Sequence, residues 1–133
     1  PRNRFNVASH LDLMEILTNH GASRFTGGLN LVANMLGKPG KMDVQGNMVQ
    51  QLNDQGELDR INDYCRCDVL DTYYAFLRAA VVIGLLSLDE EQRIVAKTHD
   101  WLQQQASDIP ALQQYLENWG NWTNPWADQD EGN

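Results

Sequence analysis

Cysteine is scarce in this 133-residue chain, where only Cys65 and Cys67 occur. Two residues apart on a helix, they point to nearly opposite sides and cannot bridge each other. A zinc site would need two further ligands, and His10, His20 and His99 show no metal-ligand spacing among them. Both cysteines are expected to be buried small hydrophobes in a reduced, cytoplasmic protein. Long apolar runs are missing too. The longest, Ala79 to Leu86, falls far short of the roughly 20 residues needed to cross a bilayer. Pro1 to Phe5 holds no apolar signal core, so nothing directs the chain to a membrane or out of the cell. Gly and Pro are not enriched, and disorder is expected only at the ends.

Positive charge is also in short supply. Ten Lys and Arg stand against eighteen Asp and Glu, for a net charge of −8. Bulk charge of that sign weighs against a nucleic-acid partner, but its distribution is uneven. Residues 1–41 carry five cations (Arg2, Arg4, Arg24, Lys38, Lys41) and two acids, Asp12 and Glu15. The acidic excess lies beyond them. An acidic nuclease is physically reasonable where divalent metals neutralise the site and only one edge meets phosphate.

What the sequence has is helical periodicity around one core, and 42% hydrophobic residues suffice for it. Residues 4–10 read as a short strand at most. Asp12 is placed to cap a helix carrying Leu13, Ile16 and Leu17, ended by Gly21. Thr26-Gly27-Gly28 leads into a second helix with Leu29, Val32, Ala33 and Leu36 on one face, stopped at Gly37. Lys38-Pro39-Gly40-Lys41 is a loop. A third helix is expected over about 45–55, closing at Gly56. From Glu57 a long helix is expected to reach about Leu86, with Ile61, Tyr64, Cys65, Asp68, Val69, Thr72, Tyr73, Phe76, Leu77 and Ala80 at three-four spacing. Its end, Ala79–Leu86, is apolar on every side and is expected to be buried in the core. Ser87-Leu88-Asp89-Glu90 has the form of a capping box, followed by a helix striped by Ile94, Trp101 and Leu102. Ser107 to Pro110 begins a last short helix with Leu112, Tyr115, Leu116 and Trp119. We divide the chain into a helical domain over 1–117 and a Trp-rich acidic tail over 118–133. The fold class is mainly α.

Tyr64-Cys65-Arg66-Cys67-Asp68 is the segment with chemical content. Residues four apart share a helix face, with Cβ atoms about 5–6 Å apart. A two-metal phosphodiesterase needs that combination, a carboxylate to hold a divalent cation and a phenol to orient the attacking water. The same spacing arises by chance in many helices, and on the pair alone a buried Tyr beside an exposed Asp is the commoner reading. Lys38 and Lys41 suit contact with a phosphate backbone, and equally a solvated connection. Asp12 reads as a helix cap, Arg78 as a partner of acids on its own helix, and Tyr73 and Tyr74 as core residues. Trp119, Trp122 and Trp126 could stack on single-stranded bases, although their acidic neighbours oppose it.

An ordered set of segments accompanies that pair: His10-Leu11-Asp12-Leu13-Met14, Leu36-Gly37-Lys38-Pro39-Gly40-Lys41-Met42, Gly46, Ile61-Asn62-Asp63-Tyr64-Cys65, Asp68-Val69-Leu70-Asp71-Thr72-Tyr73 and Leu77-Arg78. The set, over roughly residues 10–86, resembles the predicted 3′–5′ exonuclease family related to the family-B DNA polymerase exonuclease domain. The resemblance implies that the chain is the helical C-terminal part of an RNase H-like α/β exonuclease domain. It places the family's third motif, Tyr-x-x-x-Asp, on Tyr64 and Asp68. Asp68 would then bind a catalytic Mg²⁺ or Mn²⁺ of a two-metal site, and Tyr64 would position the nucleophilic water. The partner would be the 3′ end of single-stranded DNA. Arg66 departs from the pattern, since relatives usually carry an acid there. The first motif, Asp-x-Glu, and the second-motif Asp belong upstream of the residues present. Asp89–Glu91 follows the motif instead and reads as a pair of first-turn helix acids. The chain is therefore expected to be a fragment, inactive alone. The rival expectation is a catalytically silent helical module that binds a partner or forms a homo-oligomer through its apolar surface.

Overall fold

A computed structural model describes residues 11–24, 26–42, 46–120 and 122. Among these there are helices and no strand, in agreement with the mainly α expectation. The helices are α1 (Leu13–Leu17), α2 (Gly28–Met35), α3 (Val49–Asp54, preceded by a 3₁₀ turn at Gly46–Met48), α4 (Leu58–Val82), α5 (Leu88–Gln105) and α6 (Pro110–Glu117). The strand considered for residues 4–10 and most of the tail, 121 and 123–133, lie outside the described residues.

Local chemistry sets the helix ends. The Asp12 carboxylate accepts from the backbone N–H groups of Met14 and Glu15 at 2.9 and 3.2 Å, so α1 begins where its orphan donors are met. Ser87 and Glu90 exchange hydrogen bonds as a capping box at the start of α5. Pro110 occupies the first turn of α6, where its missing N–H costs nothing.

α4 is the spine. Its 25 residues span about 37 Å, and every other α-helix packs against it. Cys67, Tyr74, Ala75 and Leu77 form the core with Val32 of α2, Leu36 at the C-cap of that helix and Tyr115 of α6. Trp119, just past α6, packs edge-to-face on Tyr74 and Tyr115, with ring centroids 5.1 and 6.1 Å away.

Four local expectations are corrected. α4 stops at Val82, because Gly84 adopts φ 76° and the Leu85 N–H turns back to the Ala80 carbonyl at 2.8 Å. The apolar end is not buried: Ala79 and Ala80 are, but Val82 and Leu85 are 69% and 71% exposed. α5 returns along the Arg78 side of α4 and leaves that end uncovered. Cys65 is exposed rather than buried, because it shares the uncovered face of α4 with Val69 and Phe76. Trp101 is exposed, since Thr98 and Leu102 are the α5 positions turned inward.

Candidate functional site

Tyr64 and Asp68 lie one turn apart on α4, both partly buried. The Tyr64 hydroxyl donates to the Asp68 carboxylate, and this bond pushes the phenol's pKa upward. Tyr64 therefore stays protonated at neutral pH and keeps a hydroxyl able to donate and to accept. Asp68 opens on two cavities. One, of about 200 Å³, is bordered by Tyr64, Asp68, Lys41, Arg60 and Asp63. The other, of about 270 Å³, is bordered by Asp68, Asp71, Lys41, Asn30 and Gly28. The carboxylate is thus accessible from both sides and is not sealed against apolar neighbours. The turn at Gly46 comes close to the phenol, where a Cβ would lie 3.6 Å from the Tyr64 hydroxyl.

The loop between α2 and α3 brings Lys41 to both cavities, and three bonds anchor it. Asn30 Oδ1 accepts from the Lys41 N–H at 2.7 Å. Asp71 accepts from the Gly40 N–H and from the Tyr115 hydroxyl at 2.6 Å. The Lys38 N–H donates to the Ala33 carbonyl at 2.8 Å. Gly40 has φ 68°, and a Cβ there would come within 2.5 Å of Asn30 Oδ1, so only glycine fits. Burial drives the Asp71 carboxyl pKa upward, against the pull of the Tyr115 bond.

The two loop lysines part company. Lys41 is exposed, whereas Lys38 is 7% exposed. The Lys38 ammonium lies over the Trp119 ring, 3.5 Å from its centroid, and 4.9 Å from that of Tyr74. Burial lowers its pKa to about 8. Lys38 therefore faces a separate pocket of about 430 Å³, bordered by Tyr74, Arg78, Glu91, His99, Trp119 and Trp122. Of the two lysines expected to suit a phosphate backbone, Lys41 is on the open side of the loop and Lys38 has its head folded inward.

Other singled-out residues have structural places. Arg78 has no acid at helical spacing on α4. It pairs instead across to Glu91 of α5, its Nε donating to both carboxylate oxygens at 2.8 and 3.0 Å. Its guanidinium also stacks on Trp122 at 4.1 Å. Glu91 is therefore a buried ion-pair partner and not a mere first-turn acid, while Asp89 does sit in the first turn of α5. Arg66 pairs with Asp63 on the surface. Tyr73 meets Thr98 at 3.2 Å, and Tyr74 is core. Sequence reasoning missed the Asp71–Tyr115 and Arg78–Glu91 pairs. A signal existed for the first, since Asp71 falls on the same α4 stripe as Cys67 and Tyr74 and so had to be buried.

The Asp68 carboxylate has the hard oxygen donors that Mg²⁺ or Mn²⁺ prefers, and its place between two cavities leaves room for a cation. Among the described residues no group of three or more His, Cys, Asp or Glu side chains is arranged to hold a metal. Asp68 therefore fits as one member of a metal site and does not complete one.

No helix among the described residues is long and apolar enough to cross a membrane. No curated protein and no solved structure matches the chain. A family model does, over residues 2–119, which covers α1 through α6 and the Tyr64–Asp68 pair. On that match the chain belongs to the family described as a predicted 3′–5′ exonuclease related to the exonuclease domain of PolB.

Proposed function

We propose that the Tyr64–Asp68 cleft is part of the active centre of a metal-dependent 3′–5′ exonuclease that digests single-stranded DNA from its 3′ end. The observation that carries this reading is the hydroxyl–carboxylate pair itself, open to two cavities within a chain of this family. Asp68 is the ligand for Mg²⁺ or Mn²⁺, which when bound supplies charge stabilisation at the phosphate. Tyr64, held protonated, orients the attacking water by hydrogen bonding. Lys41 offers its ammonium to a backbone phosphate beside the same cavities. The water oxygen bonds to the terminal phosphorus as the bond to the 3′ oxygen of the preceding nucleotide breaks. A nucleoside 5′-monophosphate leaves, and the shortened strand keeps a 3′ hydroxyl.

One carboxylate does not hold two cations, so this reading takes the remaining ligands from outside the described residues and makes the described helices inactive alone. The test is digestion of a 5′-labelled single strand with Mn²⁺. The assay uses the chain together with the segment that supplies the other carboxylates. Asp68→Ala abolishes digestion and Tyr64→Phe slows it by about 10²-fold or more. Undiminished digestion by the Asp68 variant removes that residue from the mechanism.

A second reading is a silent helical module that binds a partner or another copy of itself. It is favoured by the exposed apolar residues Val69, Phe76, Val82 and Leu85 on and beyond α4. Size-exclusion chromatography separates the two: concentration-dependent self-association without any Mn²⁺-dependent digestion supports the module.

A further inference from the structure

The loop that carries Lys41 past the Tyr64–Asp68 cleft is held more tightly than a solvated helix connection requires. Pro39 has no N–H to offer, and the other backbone donors from Lys38 to Lys41 all meet protein acceptors. Lys38 donates to the Ala33 carbonyl at 2.8 Å, Gly40 to the Asp71 carboxylate and Lys41 to Asn30 Oδ1 at 2.7 Å. Two of those acceptors are side chains from different helices, Asp71 on α4 and Asn30 on α2. Gly40 is buried where it meets them, and even a Cβ there would press to 2.5 Å of Asn30 Oδ1. The amide and the loop are in direct contact.

Asn30 does little for α2 itself. Asparagine is a weak helix former, and α2 starts at Gly27 without any side-chain cap. The Asn30 oxygen is turned to a residue eleven positions away. Past this anchor the Lys41 side chain is exposed and borders both cavities that flank Asp68. Asn30 borders one of them with it. A lysine on a free loop gives up backbone freedom when it meets an anion, and fixing the backbone beforehand removes that cost.

We infer that Asn30 is a positioning residue for single-strand binding: its Oδ1 pins the Lys41 N–H, so that the Lys41 ammonium stands beside Asp68 to receive a backbone phosphate. This rests on the proposal that the Tyr64–Asp68 cleft takes a single strand, and it adds the residue that fixes where a phosphate lies. Asn30 acts through Lys41. Asp71 steadies the neighbouring peptide from the opposite helix.

The test is fluorescence anisotropy of a 5′-labelled oligodeoxythymidine with the same protein that is used for digestion, in EDTA, from low to physiological KCl. Each lysine–phosphate contact contributes about 0.7 to the slope of log affinity against log salt on single strands. Lys41→Ala is expected to lower the slope by that amount. Asn30→Ala should weaken binding by at least about three-fold at low salt and lower the slope in the same direction. In the Lys41→Ala background it should add less than about two-fold, since no ammonium is left to position. A merely structural role scales affinity equally at every salt and leaves the slope alone.

Alanine favours a helix more than asparagine does, so α2 is expected to survive Asn30→Ala. Should that variant fail to fold, Gly40→Ala pushes the same oxygen from the loop side and is read in the same way. A wild-type slope in Asn30→Ala overturns the inference, and so does an effect that multiplies fully with that of Lys41→Ala. Digestion that stops with Asp68→Ala while binding ignores Asn30 overturns the positioning role and leaves the nuclease reading standing. Coupling of Asn30 to Lys41 without any Mn²⁺-dependent digestion does the reverse.

Discussion

The Tyr115 hydroxyl donates to Asp71 at 2.6 Å, joining α6 to the middle of α4 through two buried side chains 44 residues apart. Asp71 also accepts the Gly40 N–H. One carboxylate thus fastens the last helix and the lysine loop to the same turn that carries Asp68. Tyr115→Phe leaves Asp71 with the Gly40 N–H alone. We expect a loss of about 1–3 kcal/mol in urea unfolding at neutral pH. Burial raises the Asp71 carboxyl, so the folded chain holds that proton to higher pH than the unfolded chain does. The loss should shrink as acid protonates Asp71, and an unfolding midpoint unchanged at any pH would contradict this role.

Lys38 supplies a pH test of the opposite kind. Its pKa falls from 10.5 to about 8 in the fold. Below about 8 the amine is charged in both states, and the fold bears the full cost of burying that charge. Between about 8 and 10.5 the unfolded chain binds more protons than the folded one, so this cost fades as pH rises. The stability of the wild type relative to Lys38→Met should therefore climb across that window. A difference flat with pH would show that the ammonium is not desolvated.

Glu91 is buried, and Arg78 is its partner from the neighbouring helix. Glu91→Ala should cost about 3 kcal/mol, because it leaves the guanidinium partly buried and unpaired. The double change Glu91→Leu with Arg78→Met should cost less than Glu91→Ala. Thermal unfolding of the three variants measures the order.

Leu85 lies beyond the end of α4 and is 71% exposed. Leu85→Glu should alter stability by no more than about 0.5 kcal/mol and should reduce any self-association seen by light scattering. A loss of several kcal/mol would mean that the apolar end is covered in solution.

How much of this was legible beforehand differs from residue to residue. Asp12, Ser87–Glu90 and Pro110 marked helix starts because capping depends on atoms within three or four residues, so local order in the chain is enough. Gly84 ended α4 four residues before the expected Leu86. The apolar run hid that turn, since hydrophobicity carries no information on φ.

The sequence by itself determined the helices, their order, and the placing of Tyr64 and Asp68 on one face, because these follow from a period of 3.6 residues and from local hydrogen bonds. Only the tertiary structure decided that Lys38 turns inward while Lys41 stays out, that Arg78 reaches Glu91, and that Tyr115 meets Asp71. It also decided that the apolar end of α4 lies open. Each of those depends on which helices become neighbours, and burial and pairing between distant residues are properties of packing that no local pattern encodes.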